Sequence, residues 1–284
     1  MHENDMTGTL YLVSTPIGNI NDITIRAIDI LNSVDTILTE DTRVTHKLLK
    51  HHAVKTKSSL QSFNQINEDK KAPKIILALK EGKDIALVSD AGTPLISDPG
   101  YKFIKHAREN SIRVEPVPGC CALIAAITSS GLPSDKFTFQ GFLPRTANKR
   151  INELNKLNHK EETLIFYESV HRIQSSIEDM INVFGGRRPA VVCKEITKMH
   201  ELFIGETLSD ISQYFENNKE KIRGEFTVVV QGSSREGVVD EDLDLMLSIL
   251  MSDLSLKKAV EIANKISKFS KSKIYDRALK IRNQ

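Results

Sequence analysis

The chain has 284 residues, 40% hydrophobic and 27% charged, with a formal charge of +2, the profile of a soluble globular protein of one large or two ordinary domains. No apolar run approaches the roughly 18 residues of a membrane span, and MHENDMTGTL lacks the basic start and apolar stretch of a signal peptide. Cys120, Cys121 and Cys193 form no C-x-x-C and no zinc spacing, a sparse, odd set that suits a reducing cytoplasm and implies no metal centre.

In chain order, Thr9–Thr15 reads as a strand, Pro16-Ile17-Gly18-Asn19 as a turn, and Asn21 or Asp22 as the cap of a helix with apolar Ile25, Ile28 and Leu31. Val34–Thr39 is a second strand ending in Glu40-Asp41-Thr42-Arg43, and a helix follows through Leu48 and Leu49. His51 to Ser59 reads as a loop with a short strand, and Asn67–Glu81 as a helix ended by Gly82. Next comes DIALVSDAGTPLISDPG, from Asp84 to Gly100. Ile85–Val88 is continuously apolar, as in a parallel strand covered on both faces. Asp98-Pro99 reads as the N-cap and first position of a helix from Tyr101 to Asn110. A cap accounts for Asp98, whereas no helix start lies near enough to need Asp90, which reads as a ligand group. Arg113–Val117 is another strand. Strands alternating with helices predict a mainly parallel sheet.

Pro118-Gly119 punctuates the chain, and Cys121–Ser130 is a small-residue helix closed by Gly131. Small residues allow close backbone approach, more often for packing than for a ligand. Phe137–Phe142 is a strand. The basic loop from Leu143 to Arg150 leads into a helix reaching Leu157. Thr163–Tyr167 is a strand followed by Glu168 and a helix from His171 to Phe184. Ala190–Cys193, Leu202–Ile204 and Glu225–Val230 are strands, with a helix over Ser209–Phe215. Strict alternation is lost here, so a mixed sheet is expected. Gln231–Asp242 reads as a polar linker, and Leu243 onward as helical. From Ser255 to Gln284, nine Lys or Arg (including Lys257, Lys258, Lys268, Lys271 and Lys273) face only Glu261 and Asp276. Such asymmetry points to an anionic partner, although charged helix faces are commonly just solvated.

There is no P-loop, no G-x-G-x-x-G, no G-x-S-x-G and no H-E-x-x-H. What remains is a set of polar strand ends: Ser14-Thr15-Pro16, Glu40-Asp41-Thr42-Arg43, Ser89-Asp90, Tyr167-Glu168 and Lys194-Glu195. Parallel strands put their carboxyl ends on one side of a sheet, so these ends can converge on one crevice. Pattern alone assigns them no reaction.

LYLVSTPIGNINDIT, LTEDTR, ALVSDAGTPLISDPGY, PVPGCCALIAAITSSGLPSDKFTFQGFLP, FYESVHRI, KEITKMHE and RGEF occur in this order. Together they closely resemble the ribosomal RNA small subunit methyltransferase I family of the tetrapyrrole methylase superfold, across residues 8–232. Cys120-Cys121 departs from the family's Pro-Ser. The resemblance implies a two-domain α/β architecture of the class III S-adenosylmethionine methyltransferases, with domains over 1–118 and 119–235 and a linker and basic helical tail over 236–284. It implies S-adenosylmethionine in the cleft, against Pro16, Ser89, Asp90, Ala91, Gly92, Thr93 and Pro94, then Cys121, Ala122, Tyr167, Glu168, Glu195, Gly224 and Glu225. It implies 2′-O-methylation of cytidine 1402 of 16S rRNA, a homodimer, and the PIGN and EDTR segments facing substrate.

For that reaction Glu40, Asp41 and Glu195 are candidate bases, and Arg43 and Lys198 candidate stabilisers of a developing alkoxide. The bland alternative for each is an ion pair bracing a loop. Arg145, Lys149 and Arg150, with Lys257, Lys258, Lys271 and Lys273 of the tail, are candidate RNA phosphate contacts. Two rivals stand beside this reading: a tetrapyrrole methyltransferase, and a non-catalytic RNA-binding assembly factor.

Overall fold

A computed structural model describes residues 7–55, 58–233, 235–267 and 269–282, without the side chains of 235–242. The start of the chain, part of the expected loop before Ser59 and Lys268 of the basic tail lie outside the described residues.

The first sheet contains β1 (Thr9–Val13), β2 (Thr36–Thr39), β3 (Ser59–Ser62), β4 (Ile85–Val88) and β5 (Arg113–Val117), in the order β3-β2-β4-β1-β5. All its pairings are parallel. Helices α1 (Ile25–Ser33), α2 (Thr42–His51), α3 (Glu68–Lys80) and α4 (Tyr101–Glu109) connect these strands. Two apolar clusters, one built on Leu10, Ile85 and Phe103 and the other on Val13, Ile37 and Val88, form its core. β4 is buried along its whole length, which is why its sequence is unbroken apolar.

Helix α5 (Ala122–Ser129) leads into the second sheet. β6 (Phe137–Phe142), β7 (Thr163–Ser169), β8 (Ala190–Lys194), β9 (Leu202–Ile204) and β10 (Glu225–Val230) lie in the order β6-β7-β10-β8-β9. Only β6–β7 is parallel, so the sheet is mixed as expected. Helices α6 (Ala147–Leu157), α7 (Ile173–Phe184) and α8 (Leu208–Asn217) complete its core around Phe166, Phe215 and Val228.

Four expectations are corrected. Thr24, not Asn21 or Asp22, caps α1, accepting from the Ala27 amide. Gly100, at φ +120°, precedes α4, and Asp98 makes no cap. Arg150 is buried on the inner face of α6, where its Nε donates to Asp179 at 2.6 Å, so it is no phosphate contact. Much of the expected linker is helix α9 (Arg235–Asp253), because the lone Gly237 costs a helix only about 1 kcal/mol. With α10 (Leu256–Ile266) and α11 (Lys271–Arg282), α9 makes a three-helix unit with its own core of Leu243, Leu247, Val260, Ala263, Ile274 and Ala278.

Candidate active site

The polar loop after β4 is clasped to the end of β1. Thr15 and Gly92 exchange backbone hydrogen bonds of 2.9 and 3.0 Å, and the Thr15 hydroxyl donates to the Ser89 carbonyl. The Ser89 hydroxyl donates to the Gly92 carbonyl, and that of Thr93 to the Cys120 carbonyl at 2.9 Å. Beyond, Leu95, Ser97 and Gly100 all have positive φ, so the chain curls before α4 begins. The curl carries Asp98 inward, and its Oδ2 is buried with no hydrogen-bond partner among the described residues.

The halves meet at a second turn, between β8 and β9. Glu195 (φ +51°) and Thr197 (φ +65°) flank Ile196 in left-handed conformations that cost non-glycine residues of order 1–3 kcal/mol each. The Asn19 amide of the PIGN turn donates to Thr197 Oγ1 at 2.9 Å. Gly18 is required there, since a Cβ would lie 2.6 Å from that oxygen and 2.8 Å from the Ile196 carbonyl.

Between these turns lies a cavity of about 400 Å³ lined from both sheets. Of the residues expected to hold a cofactor, Ala91, Gly92, Thr93, Cys121 and Ala122 line it from one side. Tyr167, Glu168, Gly224 and Glu225 line it from the other. Pro16, Ser89, Asp90, Pro94 and Glu195 are not in its wall. Ser89 and Asp90 instead shape the loop, Asp90 by accepting from the Asp41 amide at 3.0 Å. Sequence reasoning missed the apolar wall of Ile17, Ile96, Phe142, Val170 and Phe226, and it missed Asp98. A bulge in β6 at Gly141 (φ +65°) was the available signal for Phe142, since glycine in a strand marks such kinks.

The five catalytic candidates separate by environment. Burial, with Asp98 and Asp90 nearby, raises Glu40 to about 7. Asp41 caps α2 and is gripped by Arg43, whose hydrogen bonds lower it to about 2. Arg43 is correspondingly committed to Asp41. Burial pulls Glu195 upward, but the Lys198 ammonium at 2.8 Å and the Glu225 amide at 2.9 Å outweigh it, and its pKa is lowered. Lys198 also pairs with Glu225 at 2.9 Å. The ion-pair reading therefore describes Asp41, Arg43, Glu195 and Lys198, and leaves Glu40 as the acid poised to titrate near neutrality. Glu168 is nearly fully buried and satisfied by the Ser169 amide, the Ser176 hydroxyl and Arg172.

The family model of tetrapyrrole (corrin/porphyrin) methylases matches residues 9–212, and that of the RsmI C-terminal HTH domain matches 237–282. Curated relatives named ribosomal RNA small subunit methyltransferase I include that of Vibrio cholerae, 44% identical over 94% of this chain and 92% of the relative. That of Escherichia coli O157:H7 is 42% identical over 96% and 95%. This chain belongs to the ribosomal RNA small subunit methyltransferase I family.

Solved structures place the fold of this methyltransferase I family member among tetrapyrrole methylases. The methyltransferase CobJ matches with a TM-score of 0.60 at 15% identity, covering 80% of this chain and 95% of that one. Uroporphyrin-III C-methyl transferase of Thermus thermophilus, complexed with S-adenyl homocysteine, matches at 0.55 and 17%, covering 79% and 97%. In this methyltransferase I family member, the matched HTH region coincides with α9–α11, and Lys257, Lys258 and Lys271 are exposed on that unit. Lys273 lies over the Phe269 ring, with its nitrogen 5.3 Å from the centroid.

Proposed function

We propose that this chain transfers a methyl group from S-adenosylmethionine to the ribose 2′-hydroxyl of a cytidine in 16S rRNA, at position 1402. Family membership supports the coarser part, S-adenosylmethionine-dependent methylation of small-subunit rRNA. The observation that carries the reading is the cavity between the two sheets, whose size and largely apolar wall suit a small organic ligand. Its fit to the donor rests on the bare backbone of Gly92 and Gly224 at positive φ, where a side chain on Gly224 would strike Glu195. Ala91 to Thr93, Cys121-Ala122, Tyr167 and Gly224-Glu225 are the residues we assign to holding the donor.

The donor supplies an electrophilic methyl on a sulfonium, which leaves as a neutral thioether. The chain aligns the hydroxyl and takes its proton. Glu40 stands outside the cavity wall, at the end of β2 beside the charges of Asp98 and Asp90, and is the group we assign to that proton, because a base titrating near the working pH is the most effective. Positioning by the PIGN and EDTR turns supplies the rest. Arg145, Lys149 and the lysines of α10 and α11 would hold phosphates and so orient the RNA without selecting the base. On this reading residues 1–118 and 119–235 bind donor and nucleoside, and 236–284 bind RNA. The protein would work in the cytoplasm as a homodimer; exposed Phe137 and Phe142 on β6 and Leu202 and Phe203 on β9, the two edge strands of the second sheet, are consistent with pairing. Incorporation of labelled methyl into unmodified 16S rRNA, and none into a tetrapyrrole, tests the reading.

A further inference from the structure

The wall of the cavity contains three carboxylates, Asp98, Glu168 and Glu225, and no lysine, arginine or histidine. Two of the three are already matched. Glu168 accepts from Ser169, Ser176 and Arg172, and Glu225 pairs with Lys198. Asp98 is different. It pairs with no cation among the described residues, and its Oδ2 is buried without any hydrogen-bond partner among them. Oδ2 is shut off even from the cavity, so it offers no contact of its own, but the residue lines the wall with no cation beside it, and its charge acts on a ligand across a short, poorly screened distance.

We propose that Asp98 reads the positive charge of the methyl donor and thereby sets the preference of the cavity for the sulfonium ligand over the neutral thioether product. This rests on the cavity being the S-adenosylmethionine site. Donor and product share adenine, ribose, ammonium and carboxylate, and differ by the methyl group and the charge on sulfur. A carboxylate that senses that charge favours the donor before transfer and loses its counter-ion when the S–C bond breaks and the O–C bond forms. The product is then held by the shared groups alone, and release is favoured.

Proton linkage follows. Burial, with Asp90 alongside, raises Asp98 to about 6 in the free protein. Asp90 and Glu40 face it from the ends of β4 and β2, and Tyr167 faces it from β7. None of these is a cation. A cationic ligand stabilises the ionised carboxylate, so affinity for the donor rises as pH rises through about 6, while affinity for the product lacks this component.

The test is calorimetric binding of S-adenosylmethionine and S-adenosylhomocysteine to the full chain and to Asp98→Asn, at about pH 5 and about pH 8, on either side of the carboxylate's titration. In the wild type, the donor's advantage over the product should grow by about tenfold between the two pH values. In Asp98→Asn that growth should vanish, with product affinity within about twofold of wild type, which also reports an intact cavity. A donor-to-product ratio that is flat with pH in the wild type overturns the proposal without recourse to any variant. Equal loss of both ligands in Asp98→Asn also overturns it, since the residue then senses a shared group or merely shapes the loop. Wild-type protein that binds neither ligand removes the donor-site reading itself, and this inference with it.

Discussion

A carboxylic acid works as a base only if it is unprotonated when the hydroxyl arrives and still basic enough to accept the proton. Glu40, raised to about 7, meets both conditions near neutrality, while Asp41 at about 2 is too weak a base. The account therefore expects kcat/KM for methylation to climb with pH through about 7, and Glu40→Gln to lower kcat and flatten that limb while leaving donor affinity in place. The same shift has a stability consequence. The fold binds the Glu40 proton more tightly than the unfolded chain does, so the stabilisation it gives at low pH is lost between the ordinary 4.5 and about 7. Thermal melts should show Glu40→Gln more stable than wild type at high pH and equal to it at low pH. Arg150 belongs to packing instead. Arg150→Ala would strand the largely buried Asp179 carboxylate, and denaturant titration should show a loss of about 3–5 kcal/mol, with the salt dependence of RNA binding unchanged.

Among the elements, the turns that hold the site are the strained ones. Gly224 has φ +90° just before β10, and a Cβ there would lie 2.3 Å from Glu195 Cδ. Gly224→Ala should therefore displace the Glu195–Lys198 turn and weaken donor binding by about tenfold or more, read by calorimetry. The strands were readable because burial on both faces imposes unbroken apolar runs, as in Ile85–Val88. The polar strand ends were readable for the same reason, since they stand where those runs stop. Asp98 was not. Ser-Asp-Pro before a helix carries the local chemistry of a cap, and only the left-handed Leu95 and Ser97, fixed by tertiary packing, turn the aspartate inward. Arg150 did carry a signal, for it shares the helical spacing of Leu154 and Leu157, the buried face of α6. The apolar wall came from loops and strand ends whose side chains follow no period, so nothing in the pattern marked Ile17 or Phe226.

For the molecule as a whole, donor and RNA are assigned to separate parts. The cavity we assign to the donor lies between the two sheets, and the three-helix unit after residue 234 has its own core and an Arg277–Asp244 ion pair within it. Protein ending at residue 233 should bind donor as the full chain does, yet bind small-subunit RNA more weakly and with a shallower dependence on salt, because fewer phosphates are neutralised. Filter binding across a salt series reads both quantities, and unchanged affinity would remove the helical unit from RNA binding. The central claim is the reaction itself. Labelled methyl transfer from S-adenosylmethionine to unmodified small ribosomal subunits, with the product nucleoside identified by mass spectrometry, is the direct measurement. The account predicts 2′-O-methylcytidine as the labelled nucleoside; a base-methylated nucleoside, or no transfer while the donor is bound, would contradict it.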